Sequence, residues 1–226
     1  MIVHLTGMVS FFDRDRATVP YRGDVGGRVF SVATIKKKEG SLIAALSEKQ
    51  VFFSSDYGKT WSAGESALPG SCRHVVLSSV DGELNILLGC QNGLYVRRED
   101  ASAYERFDGS DGSLKAPIHA ILPDTASKGV LVVAAGKGLF RSKGKGYPFV
   151  PIREPIPSPH SIFNSTNNPT NMPLRRASAA CPDHLFGFSN NELFHSKDAG
   201  ETWGLLHSFE GRYVTKVLDG TKRVTL

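Results

Sequence analysis

Apolar anchors recur along this chain at nearly constant spacing, and that period limits the fold more than any other feature. Val51 is followed by Asp56, Gly58 and Trp61 at offsets of five, seven and ten residues, and Leu193 by Asp198, Gly200 and Trp203 at the same offsets. Weaker copies keep the register. Leu94 precedes Glu99 and Tyr104, Leu139 precedes Gly144, Gly146 and Phe149, and Met8 precedes Asp13, Asp15 and Thr18. The anchors 8, 51, 94, 139 and 193 are separated by 43, 43, 45 and 54 residues. A period of this size means a propeller or a solenoid, in which each unit buries its apolar face against its neighbours.

Each unit reads as four short strands. The first complete unit has Val29–Ile35, Ser41–Ser47, Gln50–Asp56 and Thr60–Gly64. The second has His74–Val80, Leu84–Cys90, Gly93–Glu99 and Ala103–Asp108. The third has Ile118–Asp124, Gly129–Ala135, Gly138–Gly144 and Tyr147–Ile152, and the fourth Leu174–Ala180, His184–Ser189, Glu192–Asp198 and Thr202–His207. Tight turns such as Gln91-Asn92-Gly93 and Gly136-Lys137-Gly138 join the second and third strands. Four antiparallel strands per unit make a propeller blade, and no amphipathic helical stretch competes. The fifth unit is split: Tyr213–Asp219 supplies one strand, and Met1–Gly7, Met8–Asp13 and Ala17–Arg22 supply three. Counted around the ends, from Leu193 to Met8, the spacing is 41 residues. The expectation is an all-β, five-bladed β-propeller of four-stranded antiparallel blades, closed by pairing of the N- and C-terminal strands so that no sheet edge is left free. Its single domain spans 1–226, with blades at 23–68, 69–112, 113–152, 174–210 and 211–226 plus 1–22. A long connection at 153–173 accounts for the widest spacing.

The two full copies, "SSDYGKTW" at 54–61 and "SKDAGETW" at 196–203, share the pattern S-x-D-x-G-x-T-W. A carboxylate in such a turn accepts backbone N–H bonds of its own turn, and the glycine takes positive φ at no steric cost. The hydroxyls add bonds, and the tryptophan carries a large apolar area to pack between sheets. The pattern resembles the Asp box, or BNR repeat. The resemblance covers the two full copies, and the other units follow by register alone; Glu99 and Gly144 stand where the box has Asp. It implies kinship with a propeller group that includes sialidases, other glycosidases, sorting-receptor ectodomains and photosystem II assembly factors. In that group the box lies at the periphery. Ser54, Asp56, Gly58, Thr60, Trp61, Ser196, Asp198, Gly200, Thr202 and Trp203 are therefore expected to be structural and not catalytic.

No catalytic set stands out. A sialidase-like site needs an arginine cluster to grip a carboxylate and the family's Phe-Arg-Ile-Pro stretch; "PIREP" at 151–155 resembles that stretch poorly. Simple glycosidases need two facing carboxylates, yet the acidic residues fall mostly in turns. His4, His74, His119, His160, His184, His195 and His207 are scattered, without metal-ligand spacing. No catalytic residue, metal or cofactor is expected. Arg22-Gly23-Asp24 reads as a turn, and the sequon Asn164-Ser165-Thr166 as incidental.

The net charge is +5, a mild basic excess. The first-to-second and third-to-fourth loops gather Arg14, Arg16, Lys36, Lys37, Lys38, Lys128, Lys143, Lys145, Lys222 and Arg223 at one end of the strands. Without interleaved aromatics this argues against sequence-specific nucleic-acid binding. The second-to-third turns gather Gln91, Asn92, Lys137, Asn190 and Asn191 at the other end, beside the 153–173 loop. That end is the expected ligand-binding site, because short turns from all blades converge there. The function expected is a non-enzymatic binding or assembly propeller, a monomer recognising a protein or a glycan or other anionic ligand through one face. The alternative is a glycosidase-like, sialidase-related hydrolase, active or degenerate. Cys72, Cys90 and Cys181 are an odd number without zinc-like spacing and read as reduced thiols, favouring an intracellular setting. Met1–Phe12 reads as strand, not signal peptide, and no apolar run reaches the ~18 residues of a membrane span.

Overall fold

The computed structural model describes residues 2–3, 8–11, 21–25, 27–38, 40–64, 66–80, 83–107, 112–115, 117–123, 130–134, 138–142, 149–152, 174–178, 181–189, 192–198, 201–209, 216–217 and 224–225. Two compact units make up the chain, Met1–Phe107 and Asp108–Leu226.

The first unit opens with a three-stranded antiparallel sheet of β1 (Ile2–Val3), β2 (Met8–Phe11) and β3 (Tyr21–Asp24). Arg22-Gly23-Asp24, expected as a turn, lies within β3, where it pairs with Ser10, Val9 and Met8. The ladder to β2 takes up the backbone that a turn would have folded back. Then come two four-stranded sheets. The first holds β4 (Val29–Lys37), β5 (Gly40–Ser47), β6 (Val51–Ser54) and β7 (Ser62–Ala63). The second holds β8 (Cys72–Val80), β9 (Glu83–Cys90), β10 (Gly93–Arg98) and β11 (Glu105–Phe107). In both, strand order follows chain order, so every connection is an antiparallel hairpin.

Burial explains the apolar runs. Ile43–Leu46 and Leu84–Leu88 are buried without alternation, because the second strand of each sheet is covered on both faces. One cluster joins the two sheets: Ala44, Leu46 and Val51 from one side meet Val75, Leu77, Ile86, Leu88 and Tyr95 from the other, with Ala33 and Ile35 packed against them. Val75 N–H donates to Ser31 Oγ at 3.2 Å and ties β8 to β4.

Cys72 and Cys90 form a disulfide across the β8–β9 ladder. This corrects the expectation of three reduced thiols. The ladder shifts register between Cys72 and His74; without that bulge Cys90 would face Arg73, so the pairing depends on one extra residue in β8.

The second unit carries a 3₁₀ turn at Ser113–Lys115 and two more four-stranded sheets. The first of these holds β12 (Ile118–Pro123), β13 (Val130–Ala134), β14 (Gly138–Ser142) and β15 (Phe149–Pro151). The second holds β16 (Leu174–Ser178), β17 (Cys181–Ser189), β18 (Glu192–Ser196) and β19 (Gly204–Ser208). A cluster of Ala120, Leu139, Leu185, Phe194 and Trp203 packs them together. Finally β20 (Lys216–Val217) pairs with β21 (Val224–Thr225). The expected pairing of the C-terminal strand with the N-terminal ones is absent from the sheets formed by the described residues. Two short neighbouring segments close a hairpin at a smaller entropic cost than partners at opposite ends of the chain. The described chain is thus all-β, built of antiparallel sheets of up to four strands. The 153–173 connection lies outside the described residues.

Candidate functional site

The turns at 54–61 and 196–203 close on themselves. Ser54 Oγ donates to Asp56 Oδ1 at 2.8 Å and accepts from Gly58 N–H at 2.7 Å. Thr60 N–H lies 3.0 Å from both carboxylate oxygens of Asp56, and its hydroxyl donates to Oδ2 at 2.6 Å. Tyr57 and Gly58 both adopt positive φ, 62° and 84°, which turns the Gly58 N–H inward. In the second turn Ser196 Oγ donates to Asp198 Oδ1 at 2.8 Å, Thr202 N–H donates to the same oxygen at 2.9 Å, and the Thr202 hydroxyl donates to Oδ2. Gly200 lies outside the described residues.

These bonds hold the charged forms of the carboxyls. The Thr60 hydroxyl and N–H, followed by a smaller opposing effect of burial, leave Asp56 far below the usual carboxylate range. Burial pushes Asp198 upward, but the Thr202 hydroxyl and N–H and the Ser196 hydroxyl together outweigh it, and its pKa is lowered. A carboxylate so placed is a poor general acid or base near neutrality.

The tryptophans differ. Trp203 is 4% exposed and packs between the β12–β15 and β16–β19 sheets. Trp61 is only partly buried, against Val25, Val29, Val32, Ala45 and Phe52, and its buried Nε1–H has no hydrogen-bond partner among the described residues.

At the end expected to bind ligand, Gln91 and Asn92 form the exposed two-residue turn between β9 and β10. Asn92 Nδ2 donates to Tyr95 Oη at 2.8 Å and reaches Pro69 O at 3.4 Å. Its amide is therefore already engaged within the scaffold, at the end expected to offer it to a ligand. Lys137, Asn190 and Asn191 lie outside the described residues.

The other end holds a concavity that sequence reasoning did not prefer. It occupies about 480 Å³ and is lined by Ile35, Lys36, Lys37, Lys38, Ser79, Leu84 and Glu99. Lys37 Nζ donates to Glu99 Oε1 at 2.7 Å across 62 residues of sequence. Of the basic residues expected at this end, only Lys36–Lys38 lie among the described residues. The lysine triplet was legible in the sequence; the pairing of Lys37 with Glu99, and the approach of Ser79 and Leu84 to the same lining, were not.

A second pairing also escaped the sequence. His195 Nε2 lies 3.3 Å from His184 Nδ1, and the His195 ring stacks on Phe186 at 4.8 Å. Burial, then the neighbouring His184 and Lys197, lower the His195 pKa. Among the described residues no group of three or more His, Cys, Asp or Glu could hold a metal ion, and no helix is long and apolar enough to cross a membrane.

Comparison with known proteins adds the architecture. No family model and no curated protein matches the chain. Among solved structures it is similar to an ancestral GH74 enzyme, with a TM-score of 0.59 at 16% identity, covering 77% of this chain and 23% of that one. It is similar to the extracellular domain of BT4673 from B. thetaiotaomicron, with a TM-score of 0.58 at 16% identity, covering 81% and 23%. A third is BBS1N in complex with ARL6DN, with a TM-score of 0.56 at 11% identity, covering 92% and 62%. The fold is propeller-like. The chain spans about a quarter of the length of the first two proteins, and identities this low speak for the fold alone.

Proposed function

We propose that this chain is a non-enzymatic binding or assembly propeller that recognises a ligand or protein partner through one face. The five-blade count, monomeric state and membership of the Asp-box group are parts of the same proposal. The observation that carries it is the concavity lined by Ile35, Lys36, Lys37, Lys38, Ser79, Leu84 and Glu99, across which Lys37 pairs with Glu99. The self-satisfied carboxylates Asp56 and Asp198 support a scaffold role for their turns. Proteins of this fold are themselves varied: the names of the similar structures include an enzyme, an extracellular domain and a two-protein complex.

The end expected from the sequence, with Gln91, Asn92, Lys137, Asn190 and Asn191, is the competing site, although the Asn92 amide is already bonded. A mixed array of neutral glycans, anionic glycans and peptides decides between the ends. Binding reduced by Lys36→Ala with Lys38→Ala, and kept by Lys137→Ala with Asn190→Ala, supports the lysine end. The reverse pattern moves the site to the Gln91 end. Turnover of fluorogenic glycosides by the wild-type chain, abolished by replacing a carboxylate, would overturn the non-enzymatic reading in favour of a hydrolase.

A further inference from the structure

Two bulges bring a pair of arginines onto one aromatic ring. β4 and β8 are edge strands of neighbouring sheets and meet where Val75 N–H donates to Ser31 Oγ. The β4–β5 ladder shifts register between Val29 and Ser31, and the β8–β9 ladder between Cys72 and His74. Phe30 and Arg73 are thus the extra residues, each the second residue of its strand. A bulge re-aims the side chain it carries. The Arg73 guanidinium carbon lies 3.8 Å from the centre of the Phe30 ring, and that of Arg28 lies 5.3 Å from the same ring. At 3.8 Å the guanidinium carbon touches the ring, which leaves the N–H donors around its edge for a ligand. The β12–β13 ladder shifts in the same way around His119. The bulge therefore belongs to the repeat, whereas the residue type in it does not.

Both arginines are exposed, and no carboxylate pairs with either among the described residues. Two like charges held against one ring repel each other, and an anion between them removes that repulsion. The ring attracts each cation and restrains both side chains before a ligand arrives, which lowers the ordering cost of binding. Arg73 lies at the Gln91 end of its sheet: Cys72 pairs with Cys90, and Gln91 N–H donates to Ser71 O at 2.9 Å. Lys36 and Lys37 lie at the far end of β4 from Phe30.

We infer that Arg28, Phe30 and Arg73 form a binding site for a doubly charged oxyanion, the phosphate monoester group. It is a second site, separate from the concavity on which the proposed function rests. Guanidinium forks match phosphate oxygens. Two of them balance the roughly −1.5 to −2 charge of a phosphate monoester near neutrality better than the single charge of a carboxylate. Free sugar phosphates and phosphorylated peptides carry the same group, and the choice of probes separates the two sources.

The test is titration calorimetry on the full chain at low ionic strength, where exposed charges are least screened. The probes are glucose 6-phosphate and an N-acetylated Ala-phosphoserine-Ala amide, with dimethyl phosphate and acetate as singly charged controls. Saturable binding of at least one monoester is expected, tighter than that of either control. Arg28→Gln with Arg73→Gln should weaken it about tenfold or more, and Lys36→Ala with Lys38→Ala should leave it unchanged. The melting temperature of the arginine variant should stay near that of the wild type, because both side chains are exposed. If that variant does not fold, Arg28→Lys with Arg73→Lys keeps both charges, loses the forks and should show a smaller loss of binding. Tighter binding of the sugar phosphate assigns the site to a free metabolite, and tighter binding of the peptide to a phosphorylated partner. No saturable binding of either monoester, equal affinity for a singly charged control, or a loss that follows the lysines and not the arginines would overturn the inference. The proposed function is tested on other residues by the array, so either can fail while the other stands.

Discussion

Replacing Trp203 by Ala should cost the second unit far more than the same change at Trp61 costs the first, although both residues close the same eight-residue pattern. Trp203 is 4% exposed and wedged between two sheets. A tryptophan buries about 150–250 Å², which at about 25 cal/mol/Å² is about 4–6 kcal/mol. A compact denatured state trims this by roughly 10–40%. The remainder, about 2–6 kcal/mol, brackets the roughly 3–5 kcal/mol typical of Trp→Ala in protein cores. Trp61 is partly exposed and lies against one sheet and Val25. Its truncation also removes a buried N–H without a partner among the described residues, so the loss there should be about half as large or less. The chain has only two tryptophans, so each variant leaves one fluorescent reporter, in the other unit. Urea denaturation followed by circular dichroism and by that remaining tryptophan measures both effects. Equal losses at the two positions, or a larger loss at Trp61, would refute the reasoning from burial.

Two further predictions concern pH. Asp56 and Asp198 have folded pKa values below the ordinary 3.8, so their stabilisation is complete above that value and is lost as pH falls through the folded values; melting temperature in acid should fall less in Asp198→Asn than in the wild type. His195 has a folded pKa below the ordinary 6.5, so the unfolded chain takes up its proton first, and this residue's contribution to stability should decline as pH drops below 6.5 and level off below the folded pKa. His195→Phe should flatten that part of a melting-temperature profile, and an unchanged slope between pH 6.5 and 5 would count against it.

The strands were legible because their signal is local. Apolar runs, turn residues and the repeat place every four-stranded sheet within a few residues of the observed boundaries, from Val29–Lys37 to Gly204–Ser208. What escaped depends on register or on distant partners. The Cys72–Cys90 link follows from a bulge at Arg73 that no residue type announces. The His184–His195 contact follows from the β17–β18 pairing. Asn92 reads as a free turn amide until Tyr95 and Pro69 are placed around it. The lysine triplet was visible as charge, but Glu99 comes to it from 62 residues away.

The carboxylate locks of the two turns have a consequence for the order of assembly. Every bond that Asp56 accepts comes from within four residues, and closing so short a loop costs little chain entropy. Such a turn can shut before any sheet exists to receive it, whereas the Ser31–Val75 bond between sheets spans 44 residues and must wait for both. One lock lies in each unit. During synthesis the first is complete once Trp61 has left the ribosome, more than a hundred residues before Trp203 is made, so the first unit has a head start in folding while the second is still being strung together.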